Sequence, residues 1–243
     1  MKLSAFTDTG RVRSSNQDSY AIGELPDGGA WAVVCDGMGG HAGGNVASSV
    51  AVNVISEDIK EGFRNNMSLG FARNMLMSSI NAANAAIIRQ ADENDELRGM
   101  GTTVVAALCY GEKAVVAHVG DSRCYHISDG EISQVTHDHS LVQELVDAGY
   151  ITKDQANSHP NKNIITRALG VNENVDIDFY EVRLEANDIL LLCTDGLTNH
   201  VTEEEIIECT SGENISNYST ELVSRANDNG GTDNITAVII ANR

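Results

Sequence analysis

The stretch Trp31-Ala32-Val33-Val34-Cys35-Asp36-Gly37 joins a short apolar run directly to an aspartate and a glycine. Five apolar residues bounded in this way are typical of a buried strand that ends at the acid. An isolated Asp-Gly usually marks a hairpin turn between two strands. This chain instead continues into the glycine-rich segment 38–44 and then into a helical pattern. The sequence therefore predicts that Asp36 stands at the end of a core strand rather than in a hairpin.

Three more aspartates occupy positions of the same kind. Asp121 and Asp195 each follow an apolar run, and Asp233 precedes one. Strands that each carry an acid at one end can bring these acids together at one edge of a sheet. Clustered carboxylates repel one another unless a cation neutralises them, and oxygen ligands without thiolates suit Mg²⁺ or Mn²⁺. The pattern favours a two-metal hydrolytic centre.

Strand-like and helical segments alternate without the regular cadence of a doubly wound parallel sheet. Apolar spacings of three and four predict two long helices, one that starts near Gly44 and one over residues 72–87. Thr202, which is followed by three glutamates, predicts a capping-box start of a later helix, and a further helix is expected over 215–225. Predicted strands lie near residues 2–8, 19–25, 30–35, 102–110, 113–120, 122–127, 131–136, 176–184, 188–194 and 234–241.

Composition limits the possible partners and compartments. Sixteen Lys and Arg against 35 Asp and Glu give a net charge of −19, which argues against an electrostatic hold on nucleic acid or an anionic membrane. No apolar stretch is long enough to span a bilayer, and no export signal is visible. The five widely spaced cysteines indicate reduced core thiols of a cytosolic protein. With 243 residues and only 2 prolines, one continuous domain over residues 1–243 is expected.

Six segments form an ordered set of motifs: Gly10–Asp18, Asp36–Gly44, Met100–Thr103, His118–Arg123, Thr194–Leu197 and Gly231–Asn234. In this order they resemble the motifs of the type 2C metal-dependent Ser/Thr protein phosphatases, the PPM family, in their compact soluble bacterial form. The resemblance covers almost the whole chain, from about residue 3 to 240. It implies an α+β fold, a four-layer αββα sandwich of two central antiparallel sheets flanked by helices, with a flap insertion at about 148–170.

The same resemblance implies a metal site and assigns its ligands. Asp36 would bridge two Mn²⁺ or Mg²⁺ ions, and the carbonyl of Gly37 would bind one of them. Asp195 and Asp233 would complete the other. The further acids implied are Asp18, which would orient the attacking water, and Asp121, which would hold a third, weaker ion.

Two basic residues complete the catalytic set that the resemblance implies. Arg13 would grip the phosphate, and its planar guanidinium suits phosphate oxygens. His41 would protonate the leaving oxygen, because a serine or threonine alkoxide leaves poorly without an acid. Asn163 stands where some relatives carry a serine near the third ion, so occupancy of that third site is an open question.

The function implied is hydrolysis of phosphoserine and phosphothreonine in proteins by metal-activated water, in opposition to a cognate Ser/Thr kinase. The protein is expected to be a cytoplasmic monomer that binds phosphoproteins but neither nucleic acid nor membrane. An alternative is a non-catalytic regulatory relative that binds phosphoproteins. Such a relative would be expected to have lost an acid, whereas Asp36, Asp195 and Asp233 are all present. A two-metal phosphodiesterase or nuclease is disfavoured by the net charge.

Other polar motifs have simpler interpretations. The glycines of 38–44 match neither a P-loop nor a dinucleotide fingerprint, and we interpret them as a lean backbone that lets a metal and substrate approach. The acidic stretch Asp92–Glu96 is interpreted as a solvated helix end. Structural or surface roles are expected for His118, His126, His137 and His139, while His159 and His200 are left open.

Overall fold

The computed structural model describes residues 1–65, 67–212 and 214–243, with the backbone alone at residues 41 and 42. Its strands are β1 Lys2–Asp8, β2 Asp18–Glu24, β3 Ala30–Met38, β4 Gly101–Thr102, β5 Val104–Tyr110, β6 Lys113–Val119, β7 Arg123–Ser128, β8 Glu131–Gln134, β9 Asp178–Arg183, β10 Ile189–Cys193 and β11 Ile235–Ala241. Its helices are α1 Gly40–Gly62, α2 Leu69–Glu93, α3 Leu141–Asp147, α4 Lys153–Asn157, α5 Asp195–Thr198, α6 Glu203–Thr210 and α7 Tyr218–Asp228.

The strands form two antiparallel sheets. One has the order β1-β11-β10-β7-β8, and the other has the order β2-β3-β5-β6-β9, with β4 paired to β3. Because successive side chains point to opposite faces of a strand, each central strand serves two cores. Val34 and Leu192 lie in the core between the sheets. Val33 packs under α1 and α2, and Leu191 packs under α6 and α7. The αββα sandwich implied by the resemblance is confirmed.

The predicted helices are all present, but some of their boundaries differ from the prediction. The predicted capping box is present at α6, where Thr202 and Glu205 bond each other's backbone N–H groups. The last helix extends to Asp228, three residues beyond its predicted end, and is preceded by a short 3₁₀ turn. The start of α1 at Gly44 is wrong, because the helix begins at Gly40. Its first turn contains Gly40 and Gly43, which are poor helix formers, so packing rather than propensity sets this start.

The segment between β8 and β9 contains the predicted flap. It holds only the short helices α3 and α4 and is tied to the body by two isolated bridges, Ser140 to Ile165 and Thr102 to Leu169. All five cysteines are buried and unpaired, as the sequence predicts. In the part of the chain that the structure describes, none of the helices has the length and apolar character needed to cross a bilayer.

Candidate metal centre

The antiparallel pairing carries the predicted acids to one end of the sandwich. In the register of β2 and β3, Asp18 stands directly opposite Asp36. Asp121 and Asp195 follow β6 and β10, and Asp233 precedes β11. Within each sheet, strand ends and strand starts of antiparallel neighbours meet at the same edge. Because the two sheets pack face to face, Asp36, Asp121, Asp195 and Asp233 line one cavity of about 360 Å³, and Asp18 lies behind them outside its lining. Its lining includes Arg13, Gln17, Asp36, Gly37, Thr103, Asp121, Asn163, Ile165, Asp195, Asp233 and Asn234.

The main chain of Asp36 is held from both sides by two threonines. Its N–H donates to Thr103 Oγ1 at 2.9 Å, and its carbonyl accepts from Thr103 N at 2.9 Å and from Thr102 Oγ1 at 2.8 Å. The Thr103 hydroxyl also bonds Ser122 Oγ at 2.7 Å, next to Asp121. These bonds connect the backbones of two predicted metal ligands. The motif Thr102-Thr103 was part of the resemblance, but its role as a clamp cannot be read from spacing.

Asp18 is buried with only one of its carboxylate oxygens satisfied. Oδ2 accepts from Thr194 Oγ1 at 2.9 Å and from Thr236 Oγ1 at 2.7 Å. Oδ1 is buried without a hydrogen-bond partner among the described residues. Burial raises the pKa of Asp18 to about 7. A buried carboxylate oxygen without a partner is costly, which points to a group that is not part of the chain.

Three other acids also have raised pKa values, because they are buried and because their charges repel one another. Burial, and next the charge of Asp18, raise the pKa of Asp36 well above its ordinary value. Burial and the neighbouring charge of Asp195 raise the pKa of Asp121 to about 8. The pKa of Asp195 is also raised, by burial and by Asp233. A divalent cation would remove this repulsion, and the purely oxygen-based donor set fits Mg²⁺ or Mn²⁺.

The acids nevertheless do not enclose an ion by themselves. Within the described residues, no group of three His, Cys, Asp or Glu side chains is arranged to hold a metal ion. Mg²⁺ in proteins usually takes only one or two carboxylates and fills its octahedron with waters and other oxygens. Gly37 lines the cavity, and its carbonyl is the backbone oxygen that the resemblance assigns to one of the ions. The donor set therefore fits metals held largely through water and backbone, with small movements of the acids.

Arg13 forms an ion pair with one of these acids, Asp233. Its Nη2 donates to Asp233 Oδ2 at 2.7 Å, across half-exposed side chains. This hydrogen bond, together with the charges of Asp195 and Asp36, raises the pKa of Arg13. The guanidinium stands at the cavity wall with five donors, only part of which Asp233 uses. Arg13 is therefore placed where an incoming anion could take it over from Asp233.

The glycine-rich segment serves close packing as well as openness. A Cβ on Gly37 would overlap the carbonyl oxygen of Gly44, so the end of β3 and the first turn of α1 touch backbone to backbone. Gly39 adopts φ +114° against Met100, a conformation that side chains rarely tolerate. The lean backbone is thus explained first by how α1 docks on β3. His41 lies in the first turn of α1, but its side chain lies outside the described residues.

A flap residue and the residue that follows α5 form a chain of hydrogen bonds that ends on Asp195. Asn199 Nδ2 donates to Asp195 Oδ2 at 3.1 Å, and Lys162 Nζ donates to Asn199 Oδ1 at 3.0 Å. Beyond them a groove of about 530 Å³ continues between the flap helices and α6, and it shares Asp121, Asn163 and Asp195 with the metal cavity. Sequence motifs did not point to Lys162 or Asn199, because both lie outside the six matching segments.

His200, whose role the sequence left open, lies between α5 and α6 and contacts the loop that precedes β11. Its Nε2 accepts from Thr232 N at 3.1 Å, next to Asp233, and is 2.8 Å from the Thr232 hydroxyl. His126 pairs with the buried Asp188 and His137 pairs with the exposed Asp147, in agreement with their predicted structural or surface roles. His200 therefore holds the loop beside Asp233 and does not line the metal cavity.

Comparison with known proteins agrees with this geometry. The family model "Protein phosphatase 2C" matches residues 9–239. The serine/threonine phosphatase stp of Listeria monocytogenes is 42% identical over 238 residues, which cover 96% of this chain and 93% of that protein.

Solved structures give the same result. The serine/threonine phosphatase of S. agalactiae superposes with a TM-score of 0.90 at 38% identity and covers 98% of both chains. The catalytic domain of serine/threonine protein phosphatase PstP, in complex with two manganese ions, has a TM-score of 0.86 at 35% identity and covers 98% of this chain and 96% of that one. The family implied by the six motifs is confirmed: this chain belongs to the protein phosphatase 2C family.

Proposed function

We propose that this protein is a metal-dependent phosphatase that hydrolyses phosphoserine and phosphothreonine in proteins. The observation that carries the proposal is the cavity lined together by Arg13, Gly37 and the four carboxylates of Asp36, Asp121, Asp195 and Asp233. Family membership supports the reaction, and the relative PstP was solved with two manganese ions. The adjoining groove of about 530 Å³ offers room for polypeptide next to the phosphorylated residue.

Two divalent ions, Mn²⁺ or Mg²⁺, are proposed to be held by Asp36 between them, by the carbonyl of Gly37, and by Asp195 and Asp233. When bound, such ions activate water as a nucleophile and neutralise the charge on the phosphoryl group. A third ion is proposed at Asp121, where Asn163 is the adjacent flap residue. Asp18, whose buried Oδ1 has no hydrogen-bond partner among the described residues, would orient the attacking water.

The side chains then have distinct tasks. Arg13 binds phosphate oxygens with its fork of donors and leaves Asp233 to the metal. The threonine clamp, Thr102 and Thr103, holds the Asp36 backbone so that its carboxylate keeps one direction through the reaction. His41, at the start of α1, is proposed to donate a proton to the serine or threonine oxygen as it leaves.

Several broader properties belong to the same proposal. Residues 1–243 would form a single catalytic domain that acts as a cytoplasmic monomer. Its partners would be Ser/Thr-phosphorylated proteins and a cognate Ser/Thr kinase. The net charge of −19 supports exclusion of nucleic acid and of anionic membranes.

The experiment that tests the function is hydrolysis of a phosphothreonine peptide by the full-length protein, with Mn²⁺ and after metal removal. We expect phosphate release that requires the metal and that is lost in Asp233→Asn. Activity that persists in excess chelator would contradict the metal-dependent mechanism. Hydrolysis of a phosphodiester at a comparable rate would contradict the substrate class.

A further inference from the structure

Gly120, the residue before Asp121, has both of its backbone polar groups bound to one residue. Its N–H donates to His139 Nδ1 at 3.0 Å, and its carbonyl accepts from His139 N at 2.8 Å. Gly120 has φ +113°, and a Cβ there would lie 2.6 Å from Thr103 Cγ2. The chain thus reaches Asp121 through a conformation that only glycine adopts readily, and His139 holds that conformation in place.

The second ring nitrogen fixes the tautomer. Because Nδ1 accepts a hydrogen bond, it carries no proton, so Nε2 carries one and donates to Asp178 Oδ2 at 3.1 Å. Arg167 Nη1 lies 3.2 Å from both His139 Nε2 and Asp178 Oδ1. Because Nε2 carries a proton and is itself a donor, the Arg167 guanidinium donates to Asp178 Oδ1. Burial lowers the pKa of His139, which keeps the ring neutral. The orientation of the imidazole is set by an Asp–Arg pair on the far side of the ring.

The same residue also carries the end of the flap. The carbonyl of His139 accepts from Thr166 N at 2.8 Å. Ile165, which lines the metal cavity, directly precedes Thr166, and Asn163, which also lines it, lies three residues before Thr166. The ring is only 4% exposed and stacks on the fully buried His118, with ring centroids 4.7 Å apart. His139 therefore contacts two walls of the cavity: its ring and its N–H hold the turn before Asp121, and its main-chain carbonyl holds the end of the flap.

We propose that His139 is a positioning residue of the catalytic cavity, whose Nδ1 acceptor fixes the main chain at Gly120–Asp121 and whose main-chain carbonyl ties the same residue to the flap. The inference rests on the proposed function, because the position of Asp121 matters only if the cavity binds metal and phosphate. It adds to that function a residue that touches neither metal nor substrate. Loss of the acceptor would leave the Gly120 N–H without its partner and let the turn relax.

Two substitutions of similar size separate the two ring nitrogens. His139→Asn places an amide oxygen near the position of Nδ1 and keeps the acceptor for Gly120. His139→Gln reaches the position of Nε2, so it keeps the contact with Asp178 and loses the acceptor. His126→Gln is the matched control, because His126 Nε2 also pairs with an aspartate, Asp188 at 2.9 Å, and lines no part of the metal cavity.

The variants are compared in the full chain by Mn²⁺ titration calorimetry and by the kcat and KM for p-nitrophenyl phosphate. Loss of an outer hydrogen bond at a metal site typically costs about 10- to 100-fold in metal affinity or activity, and we expect that loss in His139→Gln. We expect His139→Asn to remain close to the wild type, with KM unchanged in both. Equal behaviour of the two variants, whether both intact or both impaired, would overturn the proposal.

Two further measurements keep the test decisive. Two-bond ¹H–¹⁵N spectra of the wild-type protein report the His139 tautomer without any variant, and a proton on Nδ1 would overturn the proposal even if both variants failed to fold. If the wild type released no phosphate, the proposed function would fail. The calorimetric Mn²⁺ affinities and the tautomer would still decide the role of His139.

Discussion

Replacement of Arg13 by alanine is predicted to change metal binding and phosphate binding in opposite directions. In the structure Arg13 Nη2 holds Asp233 Oδ2 at 2.7 Å, although Asp233 is a proposed metal ligand and Arg13 the proposed phosphate ligand. The guanidinium therefore competes with the metal for Asp233 until phosphate draws it away. Arg13→Ala frees Asp233 and at the same time removes the phosphate contact.

The two effects differ in size. The side chains of Arg13 and Asp233 are 52% and 30% exposed. Exposed pairs of this kind are worth roughly 0.2–1 kcal/mol, so Mn²⁺ affinity in the absence of substrate should rise by no more than about fivefold. Hydrogen bonds to a charged group are worth about 1.5–3 kcal/mol, so KM should rise roughly 10- to 150-fold.

Calorimetric titration with Mn²⁺ and steady-state kinetics at saturating Mn²⁺ measure the two effects separately. Arg11→Ala is the matched control, because the Arg11 side chain is 64% exposed and its guanidinium lies 4.0 Å from Asp228, too far for a hydrogen bond. Arg13→Lys keeps the charge but not the fork, and should lie between alanine and wild type in KM. Weaker Mn²⁺ binding by Arg13→Ala, or an unchanged KM, would refute the reasoning.

Two other perturbations follow from the site. Asp18 and Asp121, whose pKa values are raised to about 7 and about 8, are protonated in the metal-free fold over a range where the unfolded chain is ionised. The metal-free protein should therefore lose stability as the pH rises from about 4, where the unfolded carboxyls ionise, to about 8, where the folded ones do, and saturating Mn²⁺ should remove this loss; melting temperatures in chelator that do not fall between these pH values would show otherwise. Gly37→Ala should destabilise the protein by about 1–3 kcal/mol in urea unfolding, because its Cβ would overlap the backbone of Gly44. Gly70→Ala, a helical position with nothing within 4 Å, should be neutral or slightly stabilising, and equal losses at the two glycines would exclude the packing explanation.

The sequence predicted the strands, and the place of each acid at a strand end, because both follow from local patterns. Antiparallel pairing sets Asp36 beside Asp18 in one sheet and Asp195 near Asp233 in the other. Because these pairs lie in different sheets, their convergence also depends on how the two sheets stack, which no spacing in the sequence reports. The start of α1 could not be predicted in this way. Its first turn is built from weak helix formers, and it is stabilised by the contact of Gly44 with Gly37 and of Gly39 with Met100.

Contacts between distant parts of the chain account for what the sequence did not show. Thr103 holds Asp36 across 67 positions, and no spacing rule reports that bond. His139 was expected to be merely structural, because a histidine at a strand end carries no signal of its own. Only the fold shows that it binds both backbone groups of Gly120, beside a predicted metal ligand.

The most direct test of the two-metal phosphatase mechanism is phosphate release from a phosphothreonine peptide by metal-stripped protein during titration with Mn²⁺. Asp36→Asn is measured beside the wild type, with circular dichroism to confirm that both are folded. The mechanism predicts that wild-type activity is absent without metal and is restored as two ions bind per chain, and that Asp36→Asn stays inactive. Full activity in the stripped protein, or in Asp36→Asn, would contradict it.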